Sequence, residues 1–137
     1  MISTLTALTD FGLVVLIWIV QLIIYPSFHV VADRDFRAWH ERYRTLISYL
    51  VIPLTFSQVG FHAAGLYEDI SALRIVAALL VAGAWITTLA LSVPCHNALA
   101  DGGKSSAVIQ RLIRTNWLRT VCWNAVFIVS VVDRFAG

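Results

Sequence analysis

The sequence predicts an all-α protein: an antiparallel bundle of four membrane-spanning helices, with an interfacial helix between spans one and two. Of the 137 residues, 59% are hydrophobic and only 13% are charged, against roughly 45–50% and ~25% in soluble domains. The apolar residues fall into four segments, at about 8–28, 46–67, 72–93 and 117–132. The length predicts a single domain, 1–137, and the composition excludes a disordered chain, a disulfide scaffold and a nucleic-acid-binding protein.

Each apolar segment has the features of a span. No Lys or Arg precedes the first segment, so it is predicted to be a retained span and not a signal peptide. The second has 22 residues, close to the ~20 that cross a bilayer, and Pro53 is expected to kink it. Pro26 and Pro94 are expected to close spans one and three. The fourth segment is short, and we expect it to continue a helix that begins near Ser105.

The distribution of basic residues predicts the orientation. Eight of them lie in, or just beyond, the first and third connections: Arg34, Arg37, Arg42, Arg44, Lys104, Arg111, Arg114 and Arg119. The opposite side has only Arg74 and Arg134. Because Lys and Arg accumulate on the cytoplasmic side, both termini are expected outside, in a bacterial inner membrane.

The first connection is expected to contain the interfacial helix, from Asp33 to Arg44. Its larger ring side chains recur at spacings of three and four, and they are Phe36, Trp39, His40 and Tyr43. This spacing places them on one side of a helix and leaves the arginines free to meet water or lipid phosphate. A solvated charged loop is the alternative.

The sequence contains a weak internal repeat with an offset of 68 residues, at which Pro26 matches Pro94 and Tyr49 matches Trp117. Duplication of a helical hairpin accounts for these matches. The common features of short hairpins account for them equally simply.

Polar side chains converge in the cytoplasmic half of the predicted bundle. Each span contributes some of them, among which are Gln21, Tyr25, His29, Ser48, Thr88, Ser92, His96, Asn116, Arg119, Thr120 and Asn124. Polar groups inside a membrane are costly and indicate function, although Ser, Thr, Asn and Gln also join helices without any ligand. Arg119 needs a partner, which is either Glu41 in an ion pair or an anionic ligand.

Histidines suggest a metal site in the same region. His29, His40 and His96, together with Glu41, are predicted ligands for a zinc, iron or copper ion, and ordinary interfacial histidines are the alternative. The cofactor is therefore either absent or a single transition metal. Haem is not expected, because no other span offers a histidine facing His62. A hydrogen bond between helices is the simpler role for His62.

Two stretches carry a family resemblance: Val93-Pro94-Cys95-His96-Asn97-Ala98-Leu99, and Thr115-Asn116-Trp117-Leu118-Arg119-Thr120 followed by Trp123. With Tyr25-Pro26, they resemble a family of small four-span membrane proteins that is similar to the anthrone oxygenases of fungal polyketide pathways. The resemblance implies an oxygenase-like role on a planar aromatic substrate. It points to seven residues: Pro94, His96, Asn97, Asn116, Trp117, Arg119 and Trp123.

Three functions follow from these observations. The first is an oxidoreductase in which Arg119 stabilises a phenolate, His96 or His29 takes a proton, and Asn97 assists. Its substrate, a small aromatic or lipophilic molecule, is expected to contact Gln21, Tyr25, Asn116, Trp117 and Trp123. The second is a non-catalytic subunit or ligand-binding protein, and the third is a small oligomeric transporter. The predicted partners are membrane lipid, a small lipophilic molecule, and either further copies of the chain or a larger membrane complex.

Overall fold

The computed structural model describes residues 1–136. Gly137 is the last residue of the predicted domain and was expected outside the membrane, and it lies outside the described residues. The chain forms four helices: α1 (Ile2–Ser27), α2 (Asp33–Glu68), α3 (Ala72–Gly102) and α4 (Ser106–Ala136). Only short connections separate them, at 28–32, 69–71 and 103–105. No strand occurs within residues 1–136, so the prediction of an all-α protein with four helices is confirmed.

The helices run up and down around a common core. Helix α4 packs against α1 and α3, and α2 packs against the same two helices from the other side. The ends of the helices are fixed locally. Ser71 and Ser105 accept backbone N–H groups in the first turns of α3 and α4, and Gly103 follows α3 with a φ of 81°, a conformation that favours glycine.

The two prolines that were expected to close spans one and three differ in their positions. Helix α1 ends at Ser27, one residue after Pro26, as expected, whereas α3 continues past Pro94 to Gly102. A single π-helical turn precedes each proline, at Val20–Ile24 and Thr88–Ser92. The wider turn accommodates a residue that lacks an N–H and crowds the preceding carbonyl. Helix α2 likewise continues through Pro53.

The predicted interfacial helix is not a separate element. The stretch from Asp33 to Arg44 is helical, but it forms the first three turns of α2. Phe36 and His40 do share a face, and that face is buried against the protein. Because the 36 residues of α2 span about 54 Å, the helix is far longer than the ~30 Å hydrocarbon core of a bilayer. The ring side chains therefore extend the bundle instead of lying along a membrane surface.

Three of the four helices, α1, α2 and α3, are long and apolar enough to cross a membrane. Helix α4 contains the predicted fourth span, 117–132, but no stretch of α4 long enough to cross a membrane is as apolar as those of the other three helices. Its polar residues include buried ones, such as Asn116 and Arg119, and exposed ones, such as Arg111 and Arg114. Part of the polar character of α4 therefore lies inside the bundle.

The bundle carries apolar side chains on the outside and polar side chains within. Large residues such as Leu22, Ile23 and Leu79 are exposed, each at 60% or more. The buried side chains include many polar ones, namely Asp10, Gln21, His40, Gln58, Asn116, Arg119 and Thr120. Such a continuous apolar exterior is unusual for a soluble monomer, and it is the arrangement that a bilayer favours.

Candidate functional site: a four-residue chain beside a cavity

A chain of hydrogen bonds joins one side chain from each helix. An Nη2–H of Arg119 on α4 donates to the Tyr25 hydroxyl oxygen on α1, at 3.2 Å. That hydroxyl lies 3.1 Å from Nε2 of His96 on α3, and Nδ1 of His96 lies 3.0 Å from Nε2 of His40 on α2. We call Arg119, Tyr25, His96 and His40 the four-residue chain.

The backbone places these groups at one level. Tyr25 follows directly after the π-helical turn of α1, and His96 follows that of α3 by four residues. A π-helical turn changes the register of the side chains that follow it, and such turns are frequent at functional sites. His40 reaches the same level because the first turns of α2 pack on this end of the bundle.

The donors assign a direction to the chain. Because Arg119 donates to the Tyr25 oxygen, the Tyr25 O–H is free to donate to Nε2 of His96. The remaining proton of His96 then lies on Nδ1 and is donated to Nε2 of His40. This assignment leaves the His40 proton on Nδ1, a buried atom with no hydrogen-bond partner.

Electrostatics keep both imidazoles neutral. His40 and His96 lie outside the apolar segments 46–67 and 72–93. Burial lowers the pKa of His40 to about 4, and the charge of Arg44 acts in the same direction. Burial lowers the pKa of His96 to about 3, helped by His40, Arg119 and Arg44. A neutral imidazole can accept a proton at one nitrogen while it releases one from the other, but the low pKa of these rings makes an imidazolium at either position unstable.

Aromatic rings enclose the histidine end of the chain. The His40 ring stacks on Phe36, with an interplanar angle of 11°, and meets the His96 ring edge to edge through their hydrogen bond, with an interplanar angle of 21°. Phe28, which is fully buried, packs edge-on against both Trp39 and Tyr43. The rings exclude water from the imidazoles and fix their planes.

Arg119 has no carboxylate partner within the described part of the chain. Its other contacts are an Nη1 hydrogen bond to Thr88, at 3.4 Å, and the ring of Trp123, at 5.3 Å from the guanidinium carbon. The Nε of Arg119 and the Nε1 of Trp123 are buried without an acceptor. Glu41, the expected partner, is exposed. The site therefore holds a positive charge and two unused N–H donors.

Two neighbouring cavities adjoin the four-residue chain. One, of about 370 Å³, is lined by Tyr25, His96 and Arg119 together with polar and apolar residues of α2. The other, of about 210 Å³, extends from Arg119 to Trp123, Phe56 and Trp85. Both fall near the size range of small-molecule sites, and their walls combine polar and apolar groups.

Gln21 and Asn116, two predicted substrate contacts, bind each other instead. The Asn116 amide donates to the Gln21 side-chain oxygen at 2.7 Å, and the Gln21 amide donates to the Ile113 carbonyl at 3.1 Å. Both residues are buried between α1 and α4. They therefore join α1 to α4, which is the alternative role that the sequence analysis gave for such residues.

Three other predicted residues lie apart from the chain. Asn97 is exposed and accepts a hydrogen bond from Arg44 at 3.3 Å. Trp117 is 44% exposed and packs edge-on against Trp18. The His29 side chain is exposed, because it lies beyond the last turn of α1, where its backbone N–H donates to the Pro26 carbonyl and its own carbonyl accepts from Lys104.

The predicted metal ligands do not converge. Within residues 1–136, no group of three or more His, Cys, Asp or Glu side chains is placed to hold a metal ion. His40 and His96 are in contact, but their facing nitrogens bind each other. His29 and Glu41, the other two proposed ligands, both point to the surface.

A second polar cluster, at the opposite end of the bundle, was not anticipated. Asp10 on α1 is fully buried, and its carboxylate accepts hydrogen bonds from Gln58 and Ser130, each at 2.6 Å. Nε2 of His62 lies 3.1 Å from the same carboxylate. We call these four residues the Asp10 cluster. It joins α1, α2 and α4, and it gives His62 the interhelical hydrogen bond expected of it.

Comparisons with known proteins give no relative for this chain. No family model, no curated protein and no solved structure matches it. The resemblance to the anthrone oxygenases accordingly remains a hypothesis based on the motifs alone.

Proposed function

We propose that all four helices cross a bacterial inner membrane, with the four-residue chain at the cytoplasmic end. The apolar exterior and the three helices of sufficient length and apolarity support insertion. Helix α4 would cross with its buried polar residues turned inward. The eight-to-two distribution of basic residues supports the orientation.

This topology predicts the signals of reporter fusions. Alkaline phosphatase, which is active only outside the cytoplasm, is expected to be active when fused at Gly137 and inactive when fused at Gly103. A fluorescent reporter that folds only in the cytoplasm should show the reverse. The opposite pattern at both positions would contradict the orientation.

We also propose that the protein is an oxygenase-like oxidoreductase acting on a small lipophilic aromatic substrate that carries a phenol or enol. The single observation that carries this proposal is the four-residue chain beside the 370 Å³ cavity. A fixed cation next to a proton-accepting chain, in an apolar cleft, is suited to removing a proton from a weak acid and holding the resulting anion.

In the proposed reaction, the enol hydroxyl of the substrate gives its proton to the Tyr25 oxygen as the Tyr25 proton moves to His96 and the His96 proton moves to His40. The imidazolium formed at His40 is a strong acid, and the proton returns along the chain to the reduced oxygen that leaves as water. Arg119 stabilises the enolate that forms. Dissolved O₂ then oxidises the activated carbon. Overall, R₂CH₂ + O₂ gives R₂C=O + H₂O: two C–H bonds break, one oxygen atom becomes the carbonyl oxygen, and the other leaves as water.

Oxygen uptake tests this activity. With purified protein in liposomes and 1,8-dihydroxyanthrone as the probe, we expect uptake and quinone absorbance above the rate in protein-free liposomes. His96→Gln should lower the protein-dependent rate about 100-fold, within the usual contribution of a general base. His29→Gln is the matched control and should leave the rate unchanged, because its side chain is exposed outside the chain.

The possible outcomes separate the candidate functions. Equal loss in both variants, or no uptake above liposomes alone, would contradict the oxygenase proposal. Stoichiometric binding of the probe without uptake would instead favour a non-catalytic ligand-binding protein, for which the two unused donors of Arg119 and Trp123 are the supporting observation.

A further inference from the structure

The interface between α2 and α3 has an opening on the side of the bundle. Helix α3 packs far more closely against α4 than against α2. One end of the opening is bounded by the hydrogen bond from Arg44 to Asn97, at 3.3 Å. The other end is bounded by the rings of Phe56 and Trp85, whose centroids are 5.4 Å apart. The separation along α2, about 12 residues, corresponds to ~18 Å. We call this opening the α2–α3 window.

Behind the α2–α3 window lie the two cavities of the site. They share Val51, Ile52 and Arg119 as lining residues, so they lie side by side between His96 and Trp123. A molecule that passed between α2 and α3 would therefore reach the four-residue chain without crossing the buried core.

The surface around the α2–α3 window is apolar. On α2, Ile52 and Phe56 are 53% and 62% exposed, and on α3, Leu89 and Val93 are 59% and 37% exposed. In the proposed orientation this surface faces hydrocarbon, from which a charged or strongly hydrated molecule is excluded.

We propose that the substrate reaches the site sideways from the bilayer through the α2–α3 window, as a phenolic ring carrying a hydrocarbon chain. This inference rests on the proposed function and names its substrate class. The ring oxygen accepts from the donors of Arg119 and Trp123 that have no acceptor within the protein. The chain remains between α2 and α3, in contact with lipid.

Closing the window after the site is filled tests this route. The protein carries Cys95→Ala and Cys122→Ala, because these are its two free cysteines, and adds Ser48→Cys and Val93→Cys. The latter two positions line the cavity from α2 and α3. The protein is loaded with 2-hydroxy-4-octyloxybenzophenone in liposomes, joined with a short bismaleimide, and mixed with excess empty liposomes. The retained probe is then extracted and quantified.

A cross-link elsewhere provides the control. Phe11→Cys and Phe127→Cys join α1 to α4, where the two rings pack at 5.5 Å. We expect the cross-link across the window to slow release about tenfold or more, and the control cross-link to leave release as in the unlinked protein. Equal release from all three would overturn the lateral route. Absence of stoichiometric probe binding before cross-linking would overturn the proposed function itself.

A second variant tests the same route without cross-linking. Phe56→Ala removes one ring that bounds the window, and its side chain is 62% exposed, so the fold should persist. Release of the probe is expected to become severalfold faster. Phe11→Ala removes a comparably exposed ring, at 51%, far from the window, and should leave release unchanged. Equal effects of the two variants would also count against the window.

Discussion

Replacing Asp10 with alanine is expected to destabilise the protein by about 3–5 kcal/mol, the usual cost of removing one partner from a buried charged network. The Asp10 carboxylate accepts from Gln58, Ser130 and His62. In Asp10→Ala, these donors lose the acceptor that a fully buried carboxylate provides. Asp10→Asn should cost less, because its amide keeps one acceptor oxygen.

The measurement is reversible unfolding in mixed micelles with increasing denaturing detergent. Asp69→Ala is the matched control, because its carboxylate is at the same end of the bundle and is 70% exposed. An exposed acid of this kind contributes within about 1 kcal/mol. If Asp10→Ala and Asp69→Ala unfolded at the same detergent concentration, the Asp10 cluster would not hold the helices together.

Arg119→Lys is expected to preserve the fold and to weaken phenol binding about 10- to 100-fold, equivalent to one charge-assisted hydrogen bond of ~1.5–3 kcal/mol. The guanidinium contacts Tyr25 and Thr88 with two nitrogens and leaves Nε for a ligand. An ammonium group is a point charge and cannot reproduce this geometry.

Binding is measured by titrating 1-naphthol into the liposome-reconstituted protein, with unfolding followed in parallel. Arg114→Lys is the control, because it lies on the same helix and is exposed. Loss of folded protein in Arg119→Lys, with unchanged affinity in the fraction that folds, would show that Arg119 is structural and does not contact a ligand.

The positions of the helices were predictable because apolar segments are local features of the sequence. The continuation of α3 past Pro94 was not. A proline usually ends a helix, and nothing in the residues near Pro94 indicates that a π-helical turn before it will let the helix continue. That turn matters for the site, because it keeps His96 inside a helix that runs on to Gly102.

The convergence of polar residues was predictable in outline, since spacings of three and four place them on inward faces. The individual contacts were not. The sequence does not show that His29 lies beyond the last turn of α1, or that Asn97 faces outward from α3, so that both side chains meet the surface. It also does not show that His40 and His96 form a hydrogen bond with each other. This bond occupies the two facing nitrogens that the predicted metal site would use.

Asp10 could have been found from the sequence. It lies inside the first apolar segment, and it falls on the same face as the buried residues Thr6, Leu13 and Ile17. An acidic residue within a span is by default a candidate for function or for a specific interhelical contact. Its position close to the start of the segment made it resemble a boundary residue.

The positions of the π-helical turns agree with the internal repeat. They begin at Val20 and Thr88, which are 68 residues apart, as Pro26 and Pro94 are. His62 and Ser130, which both contact Asp10, are separated by the same number. Backbone geometry and contacts therefore repeat where the residue types differ, and this favours duplication of a hairpin over chance similarity.

The central claim is that the space beside the four-residue chain binds a small lipophilic phenol. The most direct test uses 4-hydroxybenzophenone, a phenol that cross-links to neighbouring C–H bonds on illumination, with the protein in liposomes and peptide mapping by mass spectrometry. The account predicts saturable adducts on residues that line the cavities, such as Val51, Ile52 and Val93, and their suppression by excess 1-naphthol. Adducts spread over exposed residues of α1 and α4, such as Leu22 and Val121, without suppression would contradict it.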